Sequence, residues 1–460
     1  MENNPKHEIF ETTPIPRAMA KLCVPTILSS LVMIFYNIAD TYFVGYLNDP
    51  VQNAAVALAA PLMLAFNCIN NLFGIGGSSV MSRALGAGDE ATVRKSSAFG
   101  LYGAVILALV LSLSYLLFSR GFLEILGADA VTASKTGEYL FWTVGLGAAP
   151  AIFNVVMAYY VRCEGASLHA SIGTMSGCIL NIIIDPFFIM PWGLGMGAAG
   201  AGCATFISSC VASLYFIGYI VSKRKGTSIC ISPAVFLRSF PVAKDICSVG
   251  VPAAIQNLLN VSSLTILNNF TAAFGSDAVA AMGIAHKIQQ IPVNASFGFS
   301  TGIMPIMGYN YSRGNRKRMR EAFFFTAGAE ALCLFVIGCG FVFLPRQLMA
   351  AFIENADVIA MGSKFLVAMG IILVFAGFDY ISVAAFQACG MGKLSLVFAF
   401  LRKIVLEIPM LFAYNHFFPL YGLPYAQLTA EVVLCIVAMF IMHRILKDPE
   451  NAIINANDNM

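Results

Sequence analysis

The sequence predicts an all-α membrane protein with twelve transmembrane helices, arranged as two six-helix repeats around a central cavity. Three observations support this fold class: the composition, a series of apolar segments of spanning length, and an internal repeat. Of the 460 residues, 58% are hydrophobic and 11% are charged, with a mean hydropathy of +0.78, whereas soluble domains average about 25% charged residues. This composition excludes a water-soluble enzyme and a disordered chain. A net charge of +3 also leaves no basic face for nucleic acid.

Twelve apolar segments follow one another along the chain, and each can supply the roughly 20 residues that a membrane-spanning helix requires. We interpret them as helices because long uncharged runs such as 104–118 lack the alternation of a barrel strand. The predicted segments 1 to 12 are approximately residues 18–46, 52–82, 96–119, 136–161, 168–190, 197–222, 246–274, 278–310, 322–345, 362–388, 394–416 and 422–444.

The polar N-terminus, residues 1–17, is broken by three prolines and is typical of a cytoplasmic tail rather than a cleavable signal. The twelve cysteines lie mostly inside apolar segments without a CxxC pair, so neither a disulfide framework nor a zinc site is indicated. We expect no cofactor and no enzymatic activity. No P-loop is present, because Gly390-Met391-Gly392-Lys393 continues with Leu394.

The distribution of Lys and Arg predicts the orientation. Most of the 27 basic residues fall in the tails and in alternate loops on one side, which the positive-inside rule assigns to the cytoplasm. The opposite loops hold Arg120, Lys135, Arg346 and Lys364. We therefore expect a multi-pass protein of the cell membrane with both termini in the cytoplasm.

An internal repeat relates the two halves of the chain. Val24-Pro25 recurs as Val251-Pro252, the Gly88-Asp89 turn recurs as Gly314-Asn315, and Gly165 recurs as Gly390. The spacing between the two members of a pair is nearly constant along the chain, which three unrelated matches would not produce. We predict an N-lobe (18–222) and a C-lobe (241–446), joined by a cytoplasmic linker (223–240) and followed by a cytoplasmic tail (447–460).

Six helices in each repeat place both copies in the membrane with the same orientation, as in the parallel repeats of secondary transporters. A duplicated fold could also serve a channel or a membrane enzyme, and we consider transport the better interpretation.

Four stretches of the sequence resemble the multidrug and toxic compound extrusion (MATE) family, in particular its prokaryotic branch with an Asp in the first helix. They are VPTILSSLVMIFYNIADTYFVG (24–45), GIGGSSVMSRALGAGDE (74–90), VRCEGAS (161–167) and PIMGYNYSRGN (305–315). The resemblance covers nearly the whole chain. It implies two six-helix lobes around a central cavity and export of amphiphilic or cationic drugs in exchange for protons or sodium ions.

Carboxylates inside apolar segments are the strongest candidates for the coupling-ion site, because ionisable residues are costly in lipid and mark functional positions. Asp40 and Asp185 lie in segments 1 and 5 without a basic residue within a helical turn. Burial penalises the charged form of a carboxyl, so each can hold a proton or a sodium ion. Asn181 is one turn before Asp185, and Asn154 and Thr205 could add oxygen atoms. The resemblance implies the same set, which is Asp40, Asn154, Asn181, Asp185 and Thr205.

Each of these residues also has a purely structural interpretation. Asp40 could cap a helix end, and Asp185, directly before Pro186, could mark a turn near the surface. Pro25 could be a first-turn proline, or an interior proline that removes a backbone hydrogen bond and forms a hinge. We predict a hinge at Pro25.

The substrate cavity is expected to include Tyr36 and Asn37, one turn before Asp40, together with residues of the C-lobe. Asp379 is the repeat counterpart of Asn154, and segment 7 offers Gln256 and Asn260 where some family members have a Glu. We expect opposite charges in the C-lobe to pair, and Lys403 with Glu407 forms an i,i+4 pair. The remaining charges near membrane depth are Lys287, Glu330, Arg402 and Glu431.

The expected partners are an amphiphilic or cationic small molecule, a proton or sodium ion and the lipid bilayer, with the protein acting as a monomer. Two rival functions stay open. A lipid-linked oligosaccharide flippase would have a related architecture but a more cationic cavity. A membrane prenyltransferase would need clustered carboxylates for magnesium and pyrophosphate, and the stretch 181–185 contains one Asp.

Overall fold

The computed structural model describes residues 5–223 and 226–447, and the regular elements among them are all helices. This confirms the all-α prediction. Each of the twelve predicted segments corresponds to one helix or to a run of joined helices, which we call spans 1 to 12. In order they are Ile15–Tyr46, Pro50–Ala87, Glu90–Ile125, Ala133–Leu146 with Ala148–Cys163, Ser167–Ile189, Ala198–Ser222, Ala243–Ala272, Ser276–Arg313, Arg316–Phe343, Ala356–Ala388, Gly392–Phe400 continuing through Leu401–Glu407 and Ile408–Phe417, and Leu423–Lys447.

Among the described residues, nine helices are long and apolar enough to cross a membrane. Span 4 consists of two helices that meet at an angle of 50°, and counting it as one span raises the number to ten. The other two spans also exceed the roughly 20 residues required but are more polar. Span 8 carries several Gln, Asn and Ser residues, and span 11 carries Lys393, Arg402, Lys403 and Glu407. Parts of the predicted tails (1–4 and 448–460) and of the linker (224–225) lie outside the described residues.

The turns between spans 2 and 3 and between spans 8 and 9 have the same construction. Gly88 and Gly314 adopt left-handed conformations with φ of 76° and 72°, as is usual just after a helix. Each glycine precedes a residue whose side chain caps the next helix. An Asp89 carboxylate oxygen accepts from the Thr92 N–H at 3.0 Å, and Asn315 Oδ1 accepts from the Arg318 N–H at 3.1 Å. The repeat therefore extends to matched helix caps.

The helices pack into two compact units. The first unit is Leu28–Ala254, and the second unit consists of the residues up to Ile27 together with those from Ile255 onward. In the first unit spans 5 and 6 pack closely, and span 4 contacts both. In the second unit span 10 contacts spans 8, 9 and 12. The core of the second unit includes Leu267 and Leu411, which are both buried.

The boundaries between these units lie inside spans 1 and 7, two residues after Pro25 and two residues after Pro252. The first half of span 1 packs in the second unit, where a side chain at Gly298 would overlap the backbone of Ile27. The first half of span 7 packs in the first unit, where a side chain at Gly250 would overlap Leu72. The compact units thus differ from the sequence repeats by an exchange of these two half-spans.

Candidate functional site

A cavity of about 210 Å³ lies inside the first unit, among spans 1, 2, 4, 5 and 6. Its wall combines large apolar side chains with a few amide and hydroxyl groups. The apolar residues include Met33, Met63, Phe66, Val155 and Phe206, and the polar residues include Tyr36, Asn154, Asn181 and Thr205. A largely apolar cavity with a few convergent polar groups is the usual form of a small-molecule site.

Span 4 brings Asn154 to the cavity just after the bend in that span. Asn154 Nδ2 donates a hydrogen bond to the Pro150 carbonyl at 3.0 Å, and the Ser213 hydroxyl donates to the same oxygen at 2.9 Å. The bond from Ser213 ties span 6 to span 4. Because the Asn154 amide nitrogen is engaged with the backbone, the atom that Asn154 can offer to a ligand is its carbonyl oxygen.

Thr205 joins three spans at one side of the cavity. Asn181 Nδ2 of span 5 donates to Thr205 Oγ1 at 3.4 Å, and the Tyr36 hydroxyl of span 1 lies 3.5 Å from the same oxygen. The sequence alone leaves the place of Thr205 open, since a threonine hydroxyl in a helix can bond to its own backbone instead. These contacts bring Tyr36, Asn181 and Thr205 into one polar cluster.

The two acids of the first unit lie beside this cluster. Asp185 is fully buried, and Asp40 lies close enough for the two carboxylates to repel each other. Among the residues that the structure describes, neither Asp185 oxygen nor Asp40 Oδ1 has a hydrogen-bond partner. The Asn181 amide interacts with the Asp185 carboxyl but lies outside hydrogen-bond geometry.

This arrangement leaves negative charge uncompensated in a region of low dielectric. Within residues 5–223 and 226–447, neither Asp40 nor Asp185 forms an ion pair. A buried charge without a partner is costly, so at least one of the two carboxyls requires a proton or a cation. The described residues hold no group of three His, Cys, Asp or Glu side chains suited to a metal ion. Tyr36 lies near Asp40 and Asn181 lies near Asp185, and Thr205 contacts both of these neighbours.

The remaining residues predicted for the substrate cavity lie in different places. Tyr36 lines the cavity. Asn37 and Asn260 have exposed side chains, and Asn37 contributes its backbone carbonyl to a hydrogen bond from the Thr41 hydroxyl. The Gln256 side-chain oxygen, in the second unit, accepts a hydrogen bond from Gln387 at 3.2 Å.

Asp379, the fifth predicted cavity residue, lies in a buried ionic network of the second unit. It contacts the guanidinium of Arg402, whose Nε lies 3.8 Å from a Glu431 oxygen. The three side chains are nearly fully buried. The guanidinium also lies over the Tyr380 ring, 5.2 Å from its centre. Two carboxylates thus surround one cation.

A second ion pair of span 11 joins partly buried Lys403, next to Arg402 in the sequence, to buried Glu407. Lys403 Nζ and a Glu407 oxygen are 2.6 Å apart, which confirms the i,i+4 pair expected from the sequence. The Ser263 hydroxyl of span 7 donates to the other Glu407 oxygen. The prediction that opposite charges of this half pair is correct for these groups. Glu330 is an exception, since it forms no ion pair within the described part of the chain.

The Arg402 network and the cavity occupy corresponding places in the repeat. Spans 4 and 10 end at Cys163 and Ala388, and spans 5 and 11 begin at Ser167 and Gly392. The number of residues from Cys163 to Ala388 is the same as the number from Ser167 to Gly392. At that spacing, the three members of the network correspond to three residues that line the cavity. The pairs are Asn154 with Asp379, Gly177 with Arg402, and Phe206 with Glu431.

Sequence reasoning missed two features of these sites. Tyr139 of span 4 lies near both Asp40 and Asp185, and no spacing within the sequence links it to them. Gly177 as the counterpart of Arg402 could have been found by applying the spacing of the repeat to every charged residue of the second half.

Comparisons with known proteins agree on one family. The MatE family model matches residues 25–187 and again residues 252–413, so both matches begin at a proline of the repeat. Multidrug export protein MepA of Staphylococcus saprophyticus is 30% identical over 95% of this chain and 96% of its own length. MepA of Staphylococcus aureus is 30% identical over the same shares. A crystal structure of MATE in complex with MaL6 is 23% identical, with a TM-score of 0.90, and the alignment covers 98% of this chain and all of that one.

Proposed function

We propose, because this chain belongs to the MatE family, that it exports amphiphilic and cationic small molecules from the cell in exchange for protons or sodium ions. The observation that carries the proposal is the first-unit cavity, whose polar residues Tyr36 and Asn181 lie beside two acids without an ion-pair partner among the described residues. The relatives named MepA are multidrug export proteins. Their names support transport rather than catalysis.

The coupling ion binds at Asp40 and Asp185, with Asn181, Thr205 and Asn154 supplying neutral oxygen atoms. A proton or a sodium ion removes the repulsion between the two carboxylates. Both ions suit this set, since a hard cation prefers carboxylate and carbonyl oxygens and a proton can join the hydrogen-bonded cluster.

The substrate binds against the apolar part of the same cavity. Met33, Met63 and Phe206 are flexible or flat side chains that can repack around different ligands. A cationic drug would neutralise the carboxylates and so compete with the coupling ion. No Lys or Arg is among the described residues that line this cavity, which disfavours the pyrophosphate of a lipid-linked oligosaccharide.

Exchange follows if the ion and the drug favour different arrangements of the two repeats, as in alternating access. We propose the lobes 18–222 and 241–446 as the moving bodies and Pro25 as a hinge. A proline inside a helix removes one backbone hydrogen bond, and Pro25 lies two residues before a unit boundary, where bending would occur most easily.

The protein acts as a monomer in the cell membrane, with both termini in the cytoplasm. The excess of Lys and Arg in the tails and alternate loops supports this orientation. A reporter fused after Met460 that is active only in the cytoplasm would agree with it, and a reporter active outside the cell would overturn it.

The exchange itself is tested with the purified full chain in lipid vesicles loaded with a cationic dye. Dye efflux is measured under a pH gradient alone and under a sodium gradient alone. We expect at least one gradient to accelerate efflux, and the effective gradient identifies the coupling ion. The proposal fails if neither gradient changes the rate of efflux.

Asp185→Asn, which neutralises a buried acid beside the cavity, should abolish gradient-driven efflux. Its matched control is Asp277→Asn, which neutralises an exposed acid in the first turn of span 8. This variant should pump at the parental rate. If it were as impaired as Asp185→Asn, loss of any acid would impair transport and the assignment to the cavity would be wrong.

A further inference from the structure

Glu330 is a buried acid of the second unit to which the proposed exchange assigns no role. It lies in the middle of span 9, and its side chain is 1% exposed. The Ser296 hydroxyl of span 8 donates a hydrogen bond to Glu330 Oε1. Oε2 has no hydrogen-bond partner within the ranges that the structure describes.

No positive charge among the described residues compensates Glu330. The titratable groups that face it are Cys23 of span 1, Tyr380 of span 10 and Cys333 of its own span. On span 10, Gly377 packs directly against the Glu330 carboxyl. Arg402 lies against Tyr380 but is engaged with Asp379 and Glu431.

If all of these buried acids of the second unit were ionised, their negative charges would outnumber the positive charges beside them. Arg402 lies between two carboxylates, Lys403 pairs with Glu407, and Glu330 is left without a cation among the described residues. An isolated buried carboxylate is far more costly than a buried neutral carboxylic acid. One hydroxyl and one carboxyl are also too few oxygen ligands for a hard cation, which takes about six.

We infer that Glu330 is a proton-binding site of the second unit, separate from the Asp40 and Asp185 site of the first unit. Ser296 holds Oε1 as the carbonyl-type oxygen, and Oε2 carries the proton.

The first half of span 1 covers this site. Cys23 lies close enough to Glu330 for their charges to interact, and its thiol contacts the Phe299 carbonyl of span 8 at 3.9 Å. One turn further along span 8, Gly302 allows the backbone of span 1 to approach closely. Exchange of the Glu330 proton with water therefore requires the first half of span 1 to move away from span 8. Pro25, two residues after Cys23, is placed to permit this movement.

The proton is detected directly by infrared difference spectroscopy of the full chain in lipid vesicles, titrated with acid and base without drug. Near neutral pH, the parental protein should show a protonated-carboxyl absorption of Glu330 beside any absorption of Asp40 and Asp185, and Glu330→Gln should lack the Glu330 absorption. Glu321→Gln is the matched control, because Glu321 is on the same span but exposed to the surroundings of the protein. Parental and Glu330→Gln spectra that superpose at every pH would overturn the inference.

A second variant keeps the carboxyl and changes only its hydrogen bond. Ser296→Ala should shift the position of the absorption, because the bond to Oε1 is lost, and an unshifted absorption would contradict the assignment.

Asp40→Asn and Asp185→Asn should keep the Glu330 absorption. If they removed it, the proton would belong to the first unit and the inference would fail while the proposed exchange stood. Sodium at constant pH should have no effect, and loss of the absorption on adding sodium would identify a cation site instead.

Discussion

The first unit holds a cavity of about 210 Å³ at the place where the second unit holds the buried side chain of Arg402. Gly177 of the cavity wall and Arg402 lie at equivalent positions of the repeat, in spans 5 and 11. Glycine leaves the space open, and arginine fills it with a cation that pairs with Asp379 and Glu431. The same helical frame can thus provide a binding cavity or a closed ionic core, according to a few side chains.

At the positions of Asp40 and Asp185 the difference is reversed, because the first unit has charged side chains and the second unit has apolar ones. At the spacing that relates Pro25 of span 1 to Pro252 of span 7, Asp40 corresponds to Leu267. The π-type turn Leu401–Glu407 of span 11 takes about one more residue than an α turn. After this turn, equivalent residues of spans 5 and 11 are therefore one residue further apart in the sequence. Asp185 then corresponds to Leu411. Both leucines belong to the apolar core. At these positions the first unit has two acids and the second unit has two apolar side chains, so the ion exchange that we propose involves the first unit.

The largest expected effect comes from neutralising the two acids beside the cavity. Asp40→Asn and Asp185→Asn should each abolish gradient-driven dye efflux, because an amide of equal size cannot bind and release a proton or balance a sodium ion. Folding and membrane insertion should be largely unchanged. Efflux rates and the yield of folded protein measure both effects. Parental rates for both variants under both gradients would move the coupling site to the second unit, with Asp379 as the leading candidate.

Removing the cation of the second unit should have a large effect on stability. Arg402→Leu leaves Asp379 and Glu431 buried without a counter-charge, and breaking a buried pair in this way costs about 3–5 kcal/mol. Thermal unfolding of the purified protein measures the loss.

The control for this prediction removes the whole network. The triple variant Arg402→Leu, Asp379→Asn and Glu431→Gln should recover most of the stability, since apolar or neutral replacements of a buried ion network are often tolerated. If Arg402→Leu alone were as stable as the parental protein, Arg402 would not be compensating the charges of Asp379 and Glu431.

A smaller effect is expected from the hydroxyl that joins the polar cluster. Thr205→Val removes the hydrogen-bond partner of Tyr36 and Asn181 at nearly constant volume, which typically costs about 1 kcal/mol. The concentration of coupling ion that gives half-maximal efflux should rise about fivefold. Thr143→Val is the control, because the Thr143 hydroxyl also lines the cavity but bonds to the Tyr139 carbonyl. Equal shifts in both variants would remove Thr205 from the ion site.

The smallest effect concerns the matched caps of the two halves. Asp89→Ala and Asn315→Ala should each cost about 1 kcal/mol, as expected for a lost helix cap. Hydrogen bonds from the Thr92 hydroxyl and backbone N–H hold the pKa of the Asp89 carboxyl below its usual range. The stabilisation by Asp89 is therefore present above the pKa of the unfolded chain and is lost as the pH falls through the folded value. Asn315 does not titrate, so only the Asp89→Ala difference should shrink in acid, as unfolding at several pH values would show.

The fold was predictable because apolar length and the repeat are properties of the sequence itself. The prolines of spans 1 and 7 and the glycine turns at Gly88 and Gly314 show the duplication without any structure. The exchange of half-spans between the compact units was not predictable, since it depends on which helix packs against Gly250 and Gly298.

The candidate site was predictable in part. Asp40, Asn181 and Asp185 stand out because polar residues are rare in apolar segments, and the structure brings them together with Thr205. The exposure of the Asn37 side chain could not be predicted from its spacing to Asp40, because neighbouring residues of a helix point in different directions.

The most direct test of the central claim measures ion release when drug binds, without any gradient. A cationic drug is added to the purified protein in weakly buffered solution, and released protons or sodium ions are counted. We predict release from the parental protein, none from Asp185→Asn, and parental release from the triple variant that lacks the Arg402 network. Parental release from Asp185→Asn together with its loss in the triple variant would contradict the assignment of ion exchange to the first unit.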